Sequence, residues 1–171
     1  MVRLLLISLI SLPLVAGNNA INIQHKGSNS VINVKQVGYT NNATVYCGLS
    51  SGIYSTHTCT RAVINNAYTI SQTGNSKYAK IYAFGDDADT TITQSGTGAH
   101  NAYVYNYNYA DNNSSTITQS GSGAHDADIW WYSDADNGIA AITQSGSGDH
   151  TARLNFYRDN YNVGVTQSGV N

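Results

Sequence analysis

The chain has 171 residues, a formal net charge of −2 and only 11% charged residues. Its ten acids are all aspartates, set against eight Lys and Arg, so there is neither the basic excess of a nucleic-acid binder nor a glutamate to act as general acid. One proline, sixteen glycines and thirteen tyrosines among abundant Asn, Ser, Thr and Gln point to strands and turns and argue against a conventional globular enzyme.

In chain order, residues 1–17 come first: a single Arg3, the apolar run Leu4 to Leu12, then Pro13 and the small-residue exit Val15-Ala16-Gly17. This is the layout of a secretory signal peptide, with cleavage expected after Gly17, and the run is too short for a membrane helix. The remaining domain, 18–171, divides into a first repeat region at 18–47, an insert at 48–64 and a region at 65–171 with repeats of 22–25 residues. Cys47 and Cys59 bracket most of the insert. In an exported chain they read as a disulfide closing a short loop, with free thiols or an intermolecular bridge as the alternatives.

The repeat is carried by Gln-x-Gly, at Gln36-Gly38, Gln72-Gly74, Gln94-Gly96, Gln119-Gly121, Gln144-Gly146 and Gln167-Gly169. Seven residues before each glutamine stands Asn29, Asn65, Asp87, Asn112, Asn137 or Asn160; two before stands Val34, Ile70, Ile92, Ile117, Ile142 or Val165. Each period therefore opens on a turn residue, runs as an alternating strand to the glutamine, turns at glycine and starts a second strand. In that second strand Ala43-x-Val45, Ala79-x-Ile81, Ala102-x-Val104, Ala127-x-Ile129 and Ala152-x-Leu154 share one face. Thr44, Lys80, Tyr103, Asp128 and Arg153 take the other. Two short strands cannot be stable alone, so the expected fold is an all-β solenoid of stacked strand-turn-strand repeats, about five to six rungs at a spacing of about 4.8 Å.

The grammar resembles that of curlin, the subunit of curli fibres, whose repeat runs Ser-x5-Gln-x-Gly-x2-Asn-x-Ala-x3-Gln. Ser30, Gln36, Gly38, Asn41 and Ala43 reproduce its first five fixed positions, and Asn18, Ala20 and Gln24 its second half. Later repeats depart from it. His100, His125 and His150 replace the turn Asn after a one-residue expansion, and Cys47, Ala83, Asn106, Trp131 and Phe156 replace the closing Gln. The resemblance implies a secreted, cell-surface subunit of a functional amyloid that self-assembles for adhesion and biofilm matrix. It further implies a nucleator subunit, an outer-membrane secretion channel and contact with surface or matrix polysaccharide.

Parity gives the interior its expected chemistry. Gln36, Gln72, Gln94, Gln119, Gln144 and Gln167 share the face of the apolar Ile and Val positions, so stacking aligns their amides into a ladder. The unfinished strands at either end, 18–24 and 163–167, lack a cap and suit head-to-tail polymerisation into cross-β, helped by a basic first half and an acidic second half. Asp86, Asp111, Asp136 and Asp159 form a column that is a weak candidate for Ca²⁺. That column and the histidine column at 100, 125 and 150 are expected to be turn residues facing solvent. Tyr103, Tyr105, Tyr107, Trp130, Tyr132 and Tyr157 are expected to make a sticky outer face, with Trp131 and Phe156 turned inward. No cofactor, nucleotide or nucleic acid is called for. The rival reading is an ice-binding or other ligand-binding solenoid using Thr91, Thr93, Thr116 and Thr118.

Overall fold

Six residues with left-handed backbone set the rhythm of the chain: Asn29, Asn65, Asp87, Asn112, Asn137 and Asn160, with φ of 56, 52, 54, 53, 56 and 65°. Asn and Asp tolerate this region because their short polar side chains bond locally, and a strand starts two residues after each one. The computed structural model describes residues 18–25, 29–47, 65–84, 87–107, 112–132, 137–157 and 160–169. Twelve strands follow one another: β1 Ile21–His25, β2 Val31–Lys35, β3 Ala43–Cys47, β4 Ala67–Ser71, β5 Lys77–Phe84, β6 Asp89–Thr93, β7 His100–Tyr107, β8 Ser114–Ser120, β9 His125–Tyr132, β10 Ile139–Ser145, β11 His150–Phe156 and β12 Asn162–Ser168.

The odd strands form one six-stranded parallel sheet, in the order β1-β3-β5-β7-β9-β11, and the even strands a second, β2-β4-β6-β8-β10-β12. Each strand lies over the equivalent strand of the preceding repeat, so the chain is a β-solenoid of about five turns. Register is preserved throughout: Ile70, Ile92, Ile117, Ile142 and Val165 stack in one sheet, and Ala79, Ala102, Ala127 and Ala152 in the other. The two inner faces meet in a core in which Val45, Ile70, Ile81, Ile92, Val104, Ile117 and Ile129 are fully buried.

One core column explains why the repeats are not identical. Its members Ala83, Asn106 and Trp131 are all buried, and Phe156 follows them in the last rung. Trp131, the largest fully buried side chain, fits because position 138 is glycine: a Cβ there would lie inside the indole ring. Its Nε1 donates to Ser115 Oγ at 3.2 Å, as does Asn106 Nδ2 at 3.1 Å, and Thr90 Oγ1 lies 2.8 Å from the same oxygen. A hydroxyl has two lone pairs and one proton, so Ser115 accepts both N–H groups and gives its own proton to Thr90, whose proton goes to Ser114 O. The three N–H and O–H donors that meet at Ser115 are thus paired, while Asn106 Oδ1 is buried without a partner.

The turn glycines, alike in sequence, are not alike in space. Gly38 has nothing within 4 Å of where a Cβ would stand, whereas at Gly121, with φ of 98°, a Cβ would run into the carbonyl of Gly96 in the rung below. We expect Gly121→Ala to lower stability by about 1–3 kcal/mol through backbone strain and rung separation, and Gly38→Ala to change it by less than about 0.5 kcal/mol. Urea unfolding of the two variants measures the contrast; equal midpoints would contradict the close approach.

Candidate functional site

Two interior columns and two open ends make up the candidate site. In the first column the glutamine that closes each even strand is buried, at 3% exposure or less for Gln36, Gln72, Gln94, Gln119 and Gln144. Gln36 Nε2 donates to Gln72 Oε1 at 2.7 Å, Gln72 Nε2 to Gln94 Oε1 at 2.7 Å and Gln94 Nε2 to Gln119 Oε1 at 2.8 Å. The second amide proton crosses to the other sheet: Gln72 donates to Tyr78 O, Gln94 to Asn101 O, Gln119 to Asp126 O and Gln144 to Thr151 O, over 2.8–3.2 Å. Gln72, Gln94, Gln119 and Gln144 therefore each tie rung to rung and sheet to sheet at once. Such bonds contribute about 1 kcal/mol net, but leaving one buried amide unpaired costs about 1–3 kcal/mol, so the column penalises any slip in register.

The second column corrects an expectation from the sequence. His100 and His125 do not face solvent: they are 0% and 1% exposed, and their rings stack at 4.5 Å and 3°. His150 continues the stack at 4.5 Å, half-buried in the last complete rung. The reason is parity. Each histidine stands two residues before the inward alanine, so the expanded turn ends before it and the imidazole joins the core. Asn41 and Lys77, buried in the equivalent position of earlier repeats, show the same rule, and Lys77 Nζ escapes to Asn75 O at 2.7 Å. Burial pushes the pKa of His100 down to about 4, helped by the charges of Lys77 and His125, and burial also lowers that of His125. Among the described residues no group of three or more His, Cys, Asp or Glu is placed to hold a metal.

At the ends the two sheets are out of step by half a turn. β1 extends the odd sheet one strand beyond β2, and β12 extends the even sheet one strand beyond β11. Val163 and Val165, whose equivalents are buried in every inner rung, are 49% and 47% exposed for lack of a covering strand. The glutamine ladder is open at both extremities. Gln167 Nε2 donates to Gln144 Oε1 at 2.8 Å, while at the other end Gln36 Oε1 is buried without a partner.

The outer face of the odd sheet carries the aromatic residues in columns. Tyr46, Tyr82 and Tyr105 stack at 4.7 and 5.0 Å; Phe84, Tyr107, Tyr132 and Tyr157 stack at 5.1, 4.7 and 5.7 Å. Between them and the acidic end lies Asp128, 7% exposed, with its pKa raised by burial and by Asp126 against the pull of Arg153 Nη1 at 3.2 Å. The outer face of the even sheet aligns Thr69, Thr91 and Thr116, but Ala141 and Gly164 end that array. Asp86, Asp111, Asp136 and Asp159 lie outside the described residues, as do Cys59 and the side chain of Cys47.

Comparison with known proteins gives one match. Residues 65–96, which span β4, β5 and β6, match the family model for the curlin associated repeat. No curated protein and no solved structure matches the chain. The match begins at the left-handed Asn65 and ends at Gly96, so it covers one complete rung and the first strand of the next.

Proposed function

We propose that this chain, a β-solenoid carrying a curlin associated repeat, is a structural subunit of an extracellular curli-type fibre, elongated by stacking copies head to tail. The observation that carries the reading is the complementarity of the two ends. A second copy set on the β11–β12 end places its β1 over β11 and its β2 over β12, which completes both sheets. Extending the register of the inner rungs then puts Ile23 over Leu154, Val34 over Val165 and Gln36 over Gln167, so the unpartnered Gln36 Oε1 receives an amide proton and the exposed valines are covered. Among the described residues neither edge is blunted by proline or a bulge. Lys35, Lys77 and Lys80 lie towards one end and Asp126, Asp128 and Asp149 towards the other, which favours this polarity over head-to-head contact.

The same reading assigns residues 1–17 to an export signal and the fibre to adhesion and biofilm matrix, with the tyrosine face as its contact to surfaces or polysaccharide. Templating by a nucleator subunit and passage through an outer-membrane channel accompany it, as the curlin resemblance implies. Its chemistry is assembly, with no catalytic step. The test is to dilute residues 18–171 from denaturant and follow thioflavin fluorescence and fibre diffraction. Expected are fibres with a meridional reflection near 4.8 Å, and slow or absent elongation once residues 160–171, and with them β12, are deleted. A chain that stays monomeric, or a truncated chain that elongates like the intact one, would refute the joint; thermal hysteresis by the monomer would favour ice binding through the threonine face.

A further inference from the structure

We propose that the outer aromatic face is an oxidative cross-linking site, at which a one-electron oxidant joins Tyr107 to Tyr132 and so staples two rungs of one chain. The rings of this pair are the best aligned on the surface, 4.7 Å apart and parallel to within 1°. They belong to adjacent strands in direct register, β7 and β9, which fixes the two phenols side by side. Both are half-buried and reachable by an electron acceptor, and Tyr157, 63% exposed and stacked on Tyr132 at 5.7 Å, extends the column towards solvent.

The chemistry balances with a peroxide-driven oxidant of the haem peroxidase class. Each phenol loses one electron and one proton to give a phenoxyl radical. The two radicals couple between the carbons ortho to oxygen, one C–C bond forms, and the ortho hydrogens return to the oxygens as the rings regain aromaticity. Two electrons and two protons leave the protein, and one hydrogen peroxide takes them up to become two water molecules. Proximity sets the selectivity, since two radicals held in van der Waals contact couple before either finds a partner by diffusion.

The neighbouring tyrosine column is a poorer site for a physical reason. Lys80 Nζ stands 5.1 Å from the ring centroid of Tyr82 and 5.2 Å from that of Tyr105, and a cation over an aromatic face opposes removal of an electron. At the end of the subunit that carries β1, Gln24 continues the Tyr46 column, so among the described residues that end adds no phenol to the columns and the staple forms within a chain. It therefore hardens the subunit and does not weld one copy to the next.

The experiment treats the folded chain, as monomer and after assembly, with a haem peroxidase and limiting hydrogen peroxide. Dityrosine fluorescence is recorded and cross-linked peptides are mapped. We expect the 107–132 link to dominate, about tenfold over any pair from distant positions such as Tyr39 with Tyr132, and to lose that preference in denaturant. Tyr132→Phe keeps the ring and removes the link; Tyr107→Phe does so independently; Tyr39→Phe leaves it unchanged. A link pattern that is the same in folded and denatured chain, or mostly between chains, or indifferent to both Phe variants, would overturn the proposal. Because the monomer is tested too, the outcome does not depend on fibre formation.

Discussion

Replacing Trp131 with alanine is expected to cost about 3–5 kcal/mol of solenoid stability, the usual range for a buried large aromatic. The indole is fully buried, packs edge-on against Phe156 at 5.1 Å and Tyr161 at 5.3 Å, and fills the space that Gly138 leaves open. Truncation empties that volume and takes an N–H from Ser115 Oγ, which is buried with it. Trp130, its neighbour in β9, stands half-buried on the outer face beside Tyr105 and Tyr132, and Trp130→Ala should cost much less. The urea midpoint of freshly refolded monomer separates the two. Equal losses would mean that Trp131 is not the keystone of the last two rungs.

Acid is the second strong lever. The folded pKa of His100 is near 4 against 6.5 for the free side chain, and those of His125 and His25 are also lowered by burial. A depressed folded pKa means that the unfolded chain binds protons more readily. The contribution is therefore fully present above pH 6.5 and is lost as pH falls towards 4, by something of the order of 2 kcal/mol from His100 alone. Asp128, with its pKa raised, works in the opposite sense and softens the decline. Replacing His100 and His125 by Asn supplies the residue type that already occupies the column at Asn41 and removes their titration, leaving that of His25. Urea midpoints between pH 7 and 4 should fall for the native chain and fall clearly less for the double variant. Parallel curves would show that His100 and His125 are not the sensor.

The fold was legible because its signal is simple. Gln-x-Gly at a near-constant interval, with an apolar residue two before each glutamine, carries both the rung length and the inward face. What was not legible depends on neighbours that a linear reading does not supply. The histidines read as turn residues because the glycine turn had grown by one position; counting back by two from Ala102, Ala127 and Ala152 would have put them inside. Nothing in the repeat grammar singles out Gly138, and only stacking shows that it makes room for Trp131, a residue seven positions earlier. The six turn glycines look equivalent, yet Gly121 presses on the rung below and Gly38 presses on nothing. Asp128 was placed outward by parity, which is where it lies, but parity does not reveal that its neighbours bury it.

The joint between copies can be measured directly through two outward positions of one column, Lys35 in β2 and Thr166 in β12, both exposed and outside the core. If copies stack in register, these residues of successive subunits lie one strand spacing apart, about 4.8 Å, within reach of a disulfide. Fibres grown from a mixture of Lys35→Cys and Thr166→Cys subunits, then oxidised, should yield a 35–166 linked peptide between chains, absent from monomer treated alike. Fibres that give only 35–35 or 166–166 links, or none, would contradict head-to-tail stacking.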